Sequence, residues 1–428
     1  MSILLSHASV APFVQQAARA LHEAGWLDRF VTTLRYNPAS RRQRFACKLA
    51  GLVRFDLERQ LRRRTVTELP ADLVESLPAS ELFRLLVSKL DKGGRIADLV
   101  WSHTEPAFDR AVSRRITSRH QAVYGFEYSS LATFTRAKER GIHTIYDMPA
   151  PEPLFVKKII DGEAAKFPVL RTPYYQHTAK REAPRLARRR AEWAAADVVI
   201  AASTFTRDSF AQAGLDVSKV RLVPYGAPPA ISADMAARGG SSGDKLELLW
   251  AGTFSVRKGA HYLLDAWRRH HLGRHARLRV FGAVTLPDAL LNPIPEGVEF
   301  CGSIPRDELM AHYQNSDALM FPTLCDGFGM VATEAWSRGL PVLTTRSAGA
   351  FDLLRERENG LTFTAADADS LARTVLWCLD NRAAVRAMRL PSRQTAADWQ
   401  WPDYRRTLQT ALAPLLVEAP RNRSTHSA

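Results

Sequence analysis

Short apolar runs alternate along the chain with amphipathic stretches of helical period. Strands that alternate with helices predict a parallel β-sheet covered by helices on both faces. Several of the predicted helices end at a glycine, as helices commonly do. In the first half of the chain, the predicted strands cover residues 2–6, 122–126, 143–147, 197–203 and 220–226.

The alternation is interrupted at residues 228–245, which are rich in Pro, Gly, Ser and Ala and lack apolar periodicity. This composition predicts a linker. Beyond it, strands are predicted at 246–252, 276–282, 298–302, 318–322 and 340–345. We therefore expect two α/β domains, then a helical segment that returns to the first domain, then a disordered tail. The expected bounds are 1–227, 246–395, 396–418 and 419–428.

The composition is that of a globular protein, with 46% hydrophobic and 24% charged residues among 428. The four cysteines, Cys47, Cys301, Cys325 and Cys378, show no metal-ligand spacing, which favours a reducing compartment. The N-terminal apolar run is too short for a signal peptide, and no window approaches 18 uninterrupted apolar residues. We expect a cytoplasmic protein.

Much of the net charge of +15 lies in one segment. Residues 41–64 hold nine Arg and Lys side chains against two acidic ones, interleaved with apolar residues near helical spacing. Such a helix is attracted to anionic lipid headgroups, and peripheral contact with the inner membrane face is the favoured interpretation. The alternatives are a solvated helix that packs on the core, and nucleic acid, for which the chain carries no known motif.

Candidate chemistry begins with CDGFGMVATEAW, residues 325–336. An apolar strand precedes this stretch, and a helix that stops at Gly339 follows the two glycines. Asp326 and Glu334, eight positions apart, would flank the strand-to-helix turn. This arrangement suits a ligand that has hydroxyl groups and an anionic end.

A phosphate-binding arrangement is indicated where the predicted strand ends at Gly252. A loop with Arg257 and Lys258 follows, and a helix begins near Gly259. Helix N-termini bind phosphate through free N–H groups and the helix dipole. The spacing is not that of a Walker loop. Taken alone, the Arg-Lys-Gly sequence is better explained as an ordinary solvated helix start.

Together the two stretches resemble the retaining nucleotide-sugar glycosyltransferases of family 4, which have the GT-B fold of two facing Rossmann-like domains. AGTFSVRKG is similar to that family's donor loop, and FPTLCDGFGMVATEAWSRGLPVLTT to its E-x7-E block. AADVVIAASTFTRDSF, VRLVPYGAP and VEFCGSIPRDEL extend the resemblance over about residues 190–380.

The resemblance implies that Glu334 accepts hydrogen bonds from both ribose hydroxyls of the donor and that residues 302–304 line the base. It also implies that the amides after Asp326 reach the sugar and diphosphate, and that Arg257 and Lys258 neutralise the leaving diphosphate. The implied donor-binding residues are Gly252, Gly259, Gly302, Ser303, Ile304, Gly327, Phe328, Gly329, Met330 and Glu334, and the implied catalytic residues are Arg257, Lys258 and Asp326.

One position departs from the family pattern, because Asp326 stands where the family has Glu. The side chain is one methylene shorter, which leaves the identity of the sugar open and admits a weakened enzyme. The family mechanism requires no enzymatic nucleophile, and the donor is then a co-substrate rather than a cofactor. We expect no metal either, since Asp367 of the Asp367-Ala-Asp369 sequence is better explained as a helix N-cap.

The acceptor side is less well specified. The candidates are His7 and Glu127, which directly follow predicted strands of the first half, and Asp147, which is the last residue of another. The expected acceptor is a saccharide or a lipid-linked molecule of surface polysaccharide or glycolipid synthesis. The alternatives are a soluble transferase for a small molecule or protein, a GT-B epimerase, and a non-catalytic nucleotide-sugar-binding scaffold.

Overall fold

Two parallel sheets organise the residues that the computed structural model describes, which are 2–52, 57–62, 64–78, 81, 91, 94–241 and 243–417. The first sheet has the order β3-β2-β1-β4-β5-β6-β7 and the second the order β10-β9-β8-β11-β12-β13. The first is formed by β1 (Ile3–Ser6), β2 (Leu27–Thr32), β3 (Val74–Ser76), β4 (Ala122–Phe126), β5 (His143–Met148), β6 (Val198–Ala201) and β7 (Val220–Leu222). The second is formed by β8 (Leu246–Ala251), β9 (Ala276–Phe281), β10 (Val298–Gly302), β11 (Ala318–Phe321), β12 (Val342–Thr344) and β13 (Gly360–Thr362).

Helices connect the strands and cover the sheets. Those of the first half are α1 (Pro12–Glu23), α2 (Arg41–Leu52), α3 (Leu57–Arg62), α4 (Arg95–Ser113), α5 (Leu131–Glu139), α6 (Pro153–Lys166), α7 (Pro173–Ala179), α8 (Glu182–Ala195) and α9 (Thr204–Gln212). Those of the second half are α10 (Ala233–Ala237), α11 (Ala260–Arg269), α12 (Asp288–Leu291), α13 (Arg306–Gln314), α14 (Met330–Ser337), α15 (Ala368–Asp380), α16 (Arg382–Ala387), α17 (Arg389–Asp398) and α18 (Trp401–Val417).

The strands are parallel, and those in the middle of the first sheet are buried on both faces, as the apolar runs predict. Every residue of β4 and β5 is buried, and each predicted strand overlaps an observed one. Three observed strands were not predicted, namely β2, β3 and β13. The first begins with half-exposed and exposed residues, and the other two have three residues each, so their apolar signal is weak.

The predicted linker over residues 228–245 packs against the second domain along part of its length. It contains helix α10, in which Ala236 is fully buried. Nε of Arg389, on α17, donates to the Ala236 carbonyl oxygen at 2.8 Å. The segment thus belongs structurally to the domain that follows it.

The chain crosses between the domains a second time at residues 399–400, directly beside the first crossing. The Ala227 amide donates to the Trp399 carbonyl at 2.9 Å, and a Cβ on Gly226 would lie 2.4 Å from the Gln400 carbonyl carbon. Helix α18 then packs on α1, where Nε of Arg405 lies 2.7 Å from Glu23. Apolar side chains of α18 thereby complete the core of the first domain.

The basic segment at residues 41–64 contains α2 and α3, while residues 53–56 and 63 lie outside the described part. Phe45 on α2 is 64% exposed, whereas Leu61 on α3 is 3% exposed. The described apolar residues of this segment therefore divide between solvent and core. The predicted disordered tail, residues 419–428, lies outside the described residues.

Candidate active site

The turn between β11 and α14 requires glycine. Gly329, directly before α14, has φ +86°, and a Cβ there would lie 2.4 Å from the Phe321 ring. A Cβ on Gly327 would lie 2.1 Å from the carbonyl oxygen of Pro149 in the first domain. Glycine is therefore required at 329 by the backbone conformation and the nearby ring, and at 327 by the close approach of the turn to the first domain.

The predicted phosphate loop lies against this turn. Gly259 has φ +74°, and a Cβ there would lie 1.9 Å from the Pro322 carbonyl oxygen. Nζ of Lys258 is 3.1 Å from Oδ2 of Asp326, with both side chains about 15% exposed or less. The structure thus brings two of the three predicted catalytic residues into an ion pair.

Arg257 is the third of these residues, and it also contacts the turn. Its Nη1 donates to the Cys325 carbonyl oxygen at 3.1 Å. Gly252, at the end of β8, has φ +98°, and a Cβ there would lie 3.9 Å from Nζ of Lys258. The absence of a side chain at Gly252 keeps the backbone accessible beside the lysine ammonium group.

Glu334 lies on α14 and is paired with two residues of α13. Its Oε1 is 2.8 Å from Nη2 of Arg306, and its Oε2 accepts from the Tyr313 hydroxyl at 3.3 Å. Its side chain is 13% exposed. Burial raises the pKa of Glu334, while Arg306 and Tyr313 oppose that increase.

The remaining predicted donor residues divide between the two domains. Gly302 and Ser303 are exposed at the end of β10, and Ile304 packs against the core of the second domain. Phe328 is 2% exposed, and its ring lies edge-on to Tyr225 at 5.3 Å in the core of the first domain. Met330 packs against the same core. The amide of Phe328 donates to Oδ1 of Asp326 at 3.3 Å.

Two residues that sequence reasoning did not single out hold the turn from the first domain. The hydroxyls of Ser203 and Thr206 donate to the Gly327 carbonyl oxygen at 2.6 and 2.9 Å. Both side chains are fully buried. Their stretch, STFT, is part of the family resemblance, but local spacing gave no reason to connect it with a turn more than 120 residues away.

The three acceptor-side candidates bond to different partners. Nδ1 of His7 accepts from the Ser9 amide at 2.8 Å, and burial lowers the pKa of His7 to about 4. Glu127 forms an ion pair with Arg189 on α8. Asp147 is 1% exposed and accepts from the Tyr124 hydroxyl at 2.6 Å.

Burial raises the pKa of Asp147 to about 7, against the opposing effect of the Tyr124 hydrogen bond. A carboxyl group with such a pKa can gain or release a proton near neutral pH. His7 lies beside Phe126, with ring centroids 4.6 Å apart. The sequence placed these three candidates at strand ends, and β1, β4 and β5 are neighbours in the first sheet, so the candidates lie along one edge of it, each with a different partner.

Asp367 is a helix cap, as predicted. Its side chain accepts from the Ser370 amide at 2.8 Å at the start of α15. Asp369 instead pairs with Arg269 and His270. Within the described residues, no group of three or more His, Cys, Asp or Glu side chains converges as a metal site would require. No described helix is both long and apolar enough to cross a bilayer.

Residues 245–381 match the sequence family described as glycosyl transferases, group 1. A glycogen synthase of Mycobacterium tuberculosis is 29% identical over 184 residues, which is 41% of this chain and 43% of that protein. A GDP-mannose-dependent alpha-(1-6)-phosphatidylinositol monomannoside mannosyltransferase of Mycolicibacterium smegmatis is 30% identical over 243 residues, which is 52% of this chain and 62% of that protein. The matches thus span about half the length of these relatives.

Solved structures show the fold over nearly the whole chain. Sucrose-phosphate synthase from Thermosynechococcus elongatus has a TM-score of 0.62 at 16% identity and covers 98% of this chain and 100% of its own. HepE from Anabaena, in complex with UDP and glucose, has a TM-score of 0.60 at 14% identity, with coverages of 97% and 100%.

These comparisons, with the two parallel-sheet domains, show that the chain has the GT-B fold. More particularly, the second domain is matched to the group 1 glycosyltransferases. The turn of the candidate site contacts the first domain through Gly327.

Proposed function

We propose that the chain is a metal-independent, retaining glycosyltransferase that moves a sugar from a UDP- or GDP-sugar to a saccharide or lipid-linked acceptor. The observation that carries the proposal is the Lys258–Asp326 ion pair beside the Gly327–Gly329 turn, with Glu334 on the helix that begins directly after that turn. Cation, glycine turn and carboxylate match the three parts of a nucleotide-sugar, which are diphosphate, sugar and ribose.

The proposed chemistry follows from charge. Cleavage of a sugar–diphosphate bond develops positive charge on the ring and negative charge on the leaving oxygen. Lys258 and Arg257 are already fixed beside the turn by Asp326 and the Cys325 carbonyl, so they need little reorganisation to stabilise that oxygen. Attack from the same face, with the leaving phosphate taking the acceptor's proton, requires no protein nucleophile.

The donor nucleotide is left as UDP or GDP because similar proteins differ. The mycobacterial mannosyltransferase is GDP-mannose-dependent by name, and HepE was solved with UDP. The same mannosyltransferase acts on a phosphatidylinositol monomannoside, which supports a lipid-linked acceptor here. Peripheral contact with an anionic membrane through residues 41–64 is part of the proposal, supported by exposed Phe45 on basic α2.

The first test is calorimetric titration of UDP and GDP into wild type, Glu334→Ala and the control Glu358→Ala, with and without EDTA. We expect one nucleotide to bind wild type equally in both conditions. Loss of charge-assisted hydrogen bonds to ribose should weaken binding to Glu334→Ala by about 100-fold. Glu358 is exposed, so its replacement should leave binding unchanged.

An assay of donor hydrolysis distinguishes an enzyme from a non-catalytic binding scaffold. Incubation with the matching sugar nucleotide should release free sugar slowly in the absence of acceptor. Nucleotide binding without any hydrolysis would favour the scaffold instead. Interconversion of sugar epimers on the intact donor would favour an epimerase.

A further inference from the structure

Arg306 and Tyr313 contact Glu334 from one face of α13. They lie seven residues apart, which is close to two helical turns. Arg306 donates to Oε1 at 2.8 Å, and the Tyr313 hydroxyl donates to Oε2 at 3.3 Å. Each oxygen of the carboxylate therefore has one protein donor.

This pairing leaves acceptor capacity on both oxygens. An ionised carboxylate offers about four lone-pair sites, two on each oxygen. With one site on each occupied by α13, one site on each remains. Two such sites match two neighbouring hydroxyls, as on the ribose of a nucleotide.

Arg306 and Tyr313 also affect the pKa of Glu334. Burial disfavours its ionised form, whereas the neighbouring Arg306, Tyr313 and Arg338 favour it. Burial also raises the pKa of Tyr313 well above its ordinary value, so its hydroxyl stays a donor at neutral pH. Arg338, at the end of α14, contributes charge alone, while its Nε lies 3.5 Å from Sδ of Met310.

We propose that Arg306 is a positioning residue for nucleotide recognition, which holds Glu334 ionised and oriented so that both of its oxygens accept from ribose. This inference rests on the proposed role of Glu334 in donor binding. Arg306 is 49% exposed, so it can remain on Oε1 while a ligand occupies the other lone pairs. This face of α13 then serves to keep the Glu334 carboxylate on α14 ionised and correctly oriented.

The test compares wild type with Arg306→Met, Arg306→Lys and the control Arg338→Met. Dissociation constants are measured by calorimetry from pH 5.5 to 8.5 for the nucleotide that binds wild type and for its 2′-deoxy counterpart. Thermal unfolding of each variant establishes that it is folded. Arg338→Met removes the same charge near Glu334 without removing a hydrogen bond to it.

In Arg306→Met, we expect nucleotide affinity to fall by about tenfold per pH unit below the raised pKa of Glu334, since protonation removes the charge that strengthens both hydrogen bonds and turns one oxygen into an O–H donor. Preference for the ribonucleotide over the 2′-deoxy form should shrink in parallel. Arg306→Lys should restore most of the wild-type pH profile. Arg338→Met should keep the wild-type preference for ribose.

Three outcomes would overturn the inference. If Arg306→Met has the pH profile of Arg338→Met, then Arg306 adds no more than charge. If Arg306→Met binds more tightly than wild type at every pH, then Arg306 competes with ribose. If wild type binds none of the nucleotides tested, the proposed function falls together with this inference, whereas the first two outcomes leave that function intact.

Discussion

Asp147 is an enclosed carboxylic acid at the end of β5, with a single hydrogen-bond donor from Tyr124. Its folded-state pKa of about 7 lies above its ordinary value of 3.8. A raised pKa favours the folded state while the group is protonated, and this stabilisation is lost as the pH rises through about 7. Above that pH, folding carries the cost of burying a carboxylate.

We therefore expect Asp147→Asn to raise the free energy of unfolding by up to about 4 kcal/mol at pH 8, and by less at pH 5. The asparagine carbonyl can still accept from Tyr124. Urea unfolding at the two pH values measures the difference, with exposed Asp72→Asn as the control. Equal destabilisation by Asp147→Asn at both pH values would contradict a raised pKa.

Sequence spacing is sufficient to predict site residues that act together with near neighbours in the chain. Asp326 and Glu334 flank one turn, and Asp367 caps the helix that follows it, so their roles depend on a few neighbouring residues. Ser203 and Arg306 were not predicted as site residues, because their contacts are not local. Each acts on a segment far along the chain, and no periodicity in the sequence records that proximity.

At the scale of elements, the turn between β11 and α14 is specified by backbone conformation. We expect Gly329→Ala to lower the free energy of unfolding by about 1–3 kcal/mol, because its φ of +86° is unfavourable for alanine and its Cβ would meet Phe321. Nucleotide affinity should fall as well, because α14 carries Glu334.

Gly162 provides a matched control within helix α6, where a Cβ meets nothing within 4 Å. Gly162→Ala should stabilise the protein by about 0.5–1 kcal/mol, since alanine has the higher helix propensity. Thermal unfolding and calorimetry of both variants check the contrast. A neutral Gly329→Ala would show that the turn tolerates a side chain.

Strands and helices were predictable from the sequence where a long run of apolar residues marked them. Fully buried β4 and β5 produce continuous apolar runs, and helices that end at Gly141 and Gly214 have clear boundaries. Strands β3 and β13 have three residues each, and their positions depend on the neighbouring strand rather than on their own sequence.

At the scale of the whole molecule, two α/β domains were predictable from the interruption of the alternating pattern. Their contact was not, because it depends on side chains such as Phe328, which is in the second domain by sequence and in the core of the first by packing. The His261–Glu163 contact, with Nε2 2.8 Å from Oε2, joins α11 to α6 in the same way.

Helix α18 provides a prediction about the first domain. Leu408 is fully buried in its core, so Leu408→Ala should lower stability by about 2–5 kcal/mol. Hydrogen exchange should accelerate in β1 and α1, with β8 and β11 less affected. Leu390→Ala, on a residue that is 46% exposed, should change stability by no more than about 0.5 kcal/mol. Faster exchange confined to the second domain would contradict this assignment of α18.

The return of α18 also has a consequence for biosynthesis. The ribosome delivers the seven strands of the first sheet early, but the helix that covers α1 follows the whole second domain. Tyr404, Leu408 and Leu412 are therefore missing from the first core until α18 has been synthesised. Although N-terminal domains generally fold first, this one completes its core only after α18 has emerged from the ribosome, so the second domain can reach its native state before the first.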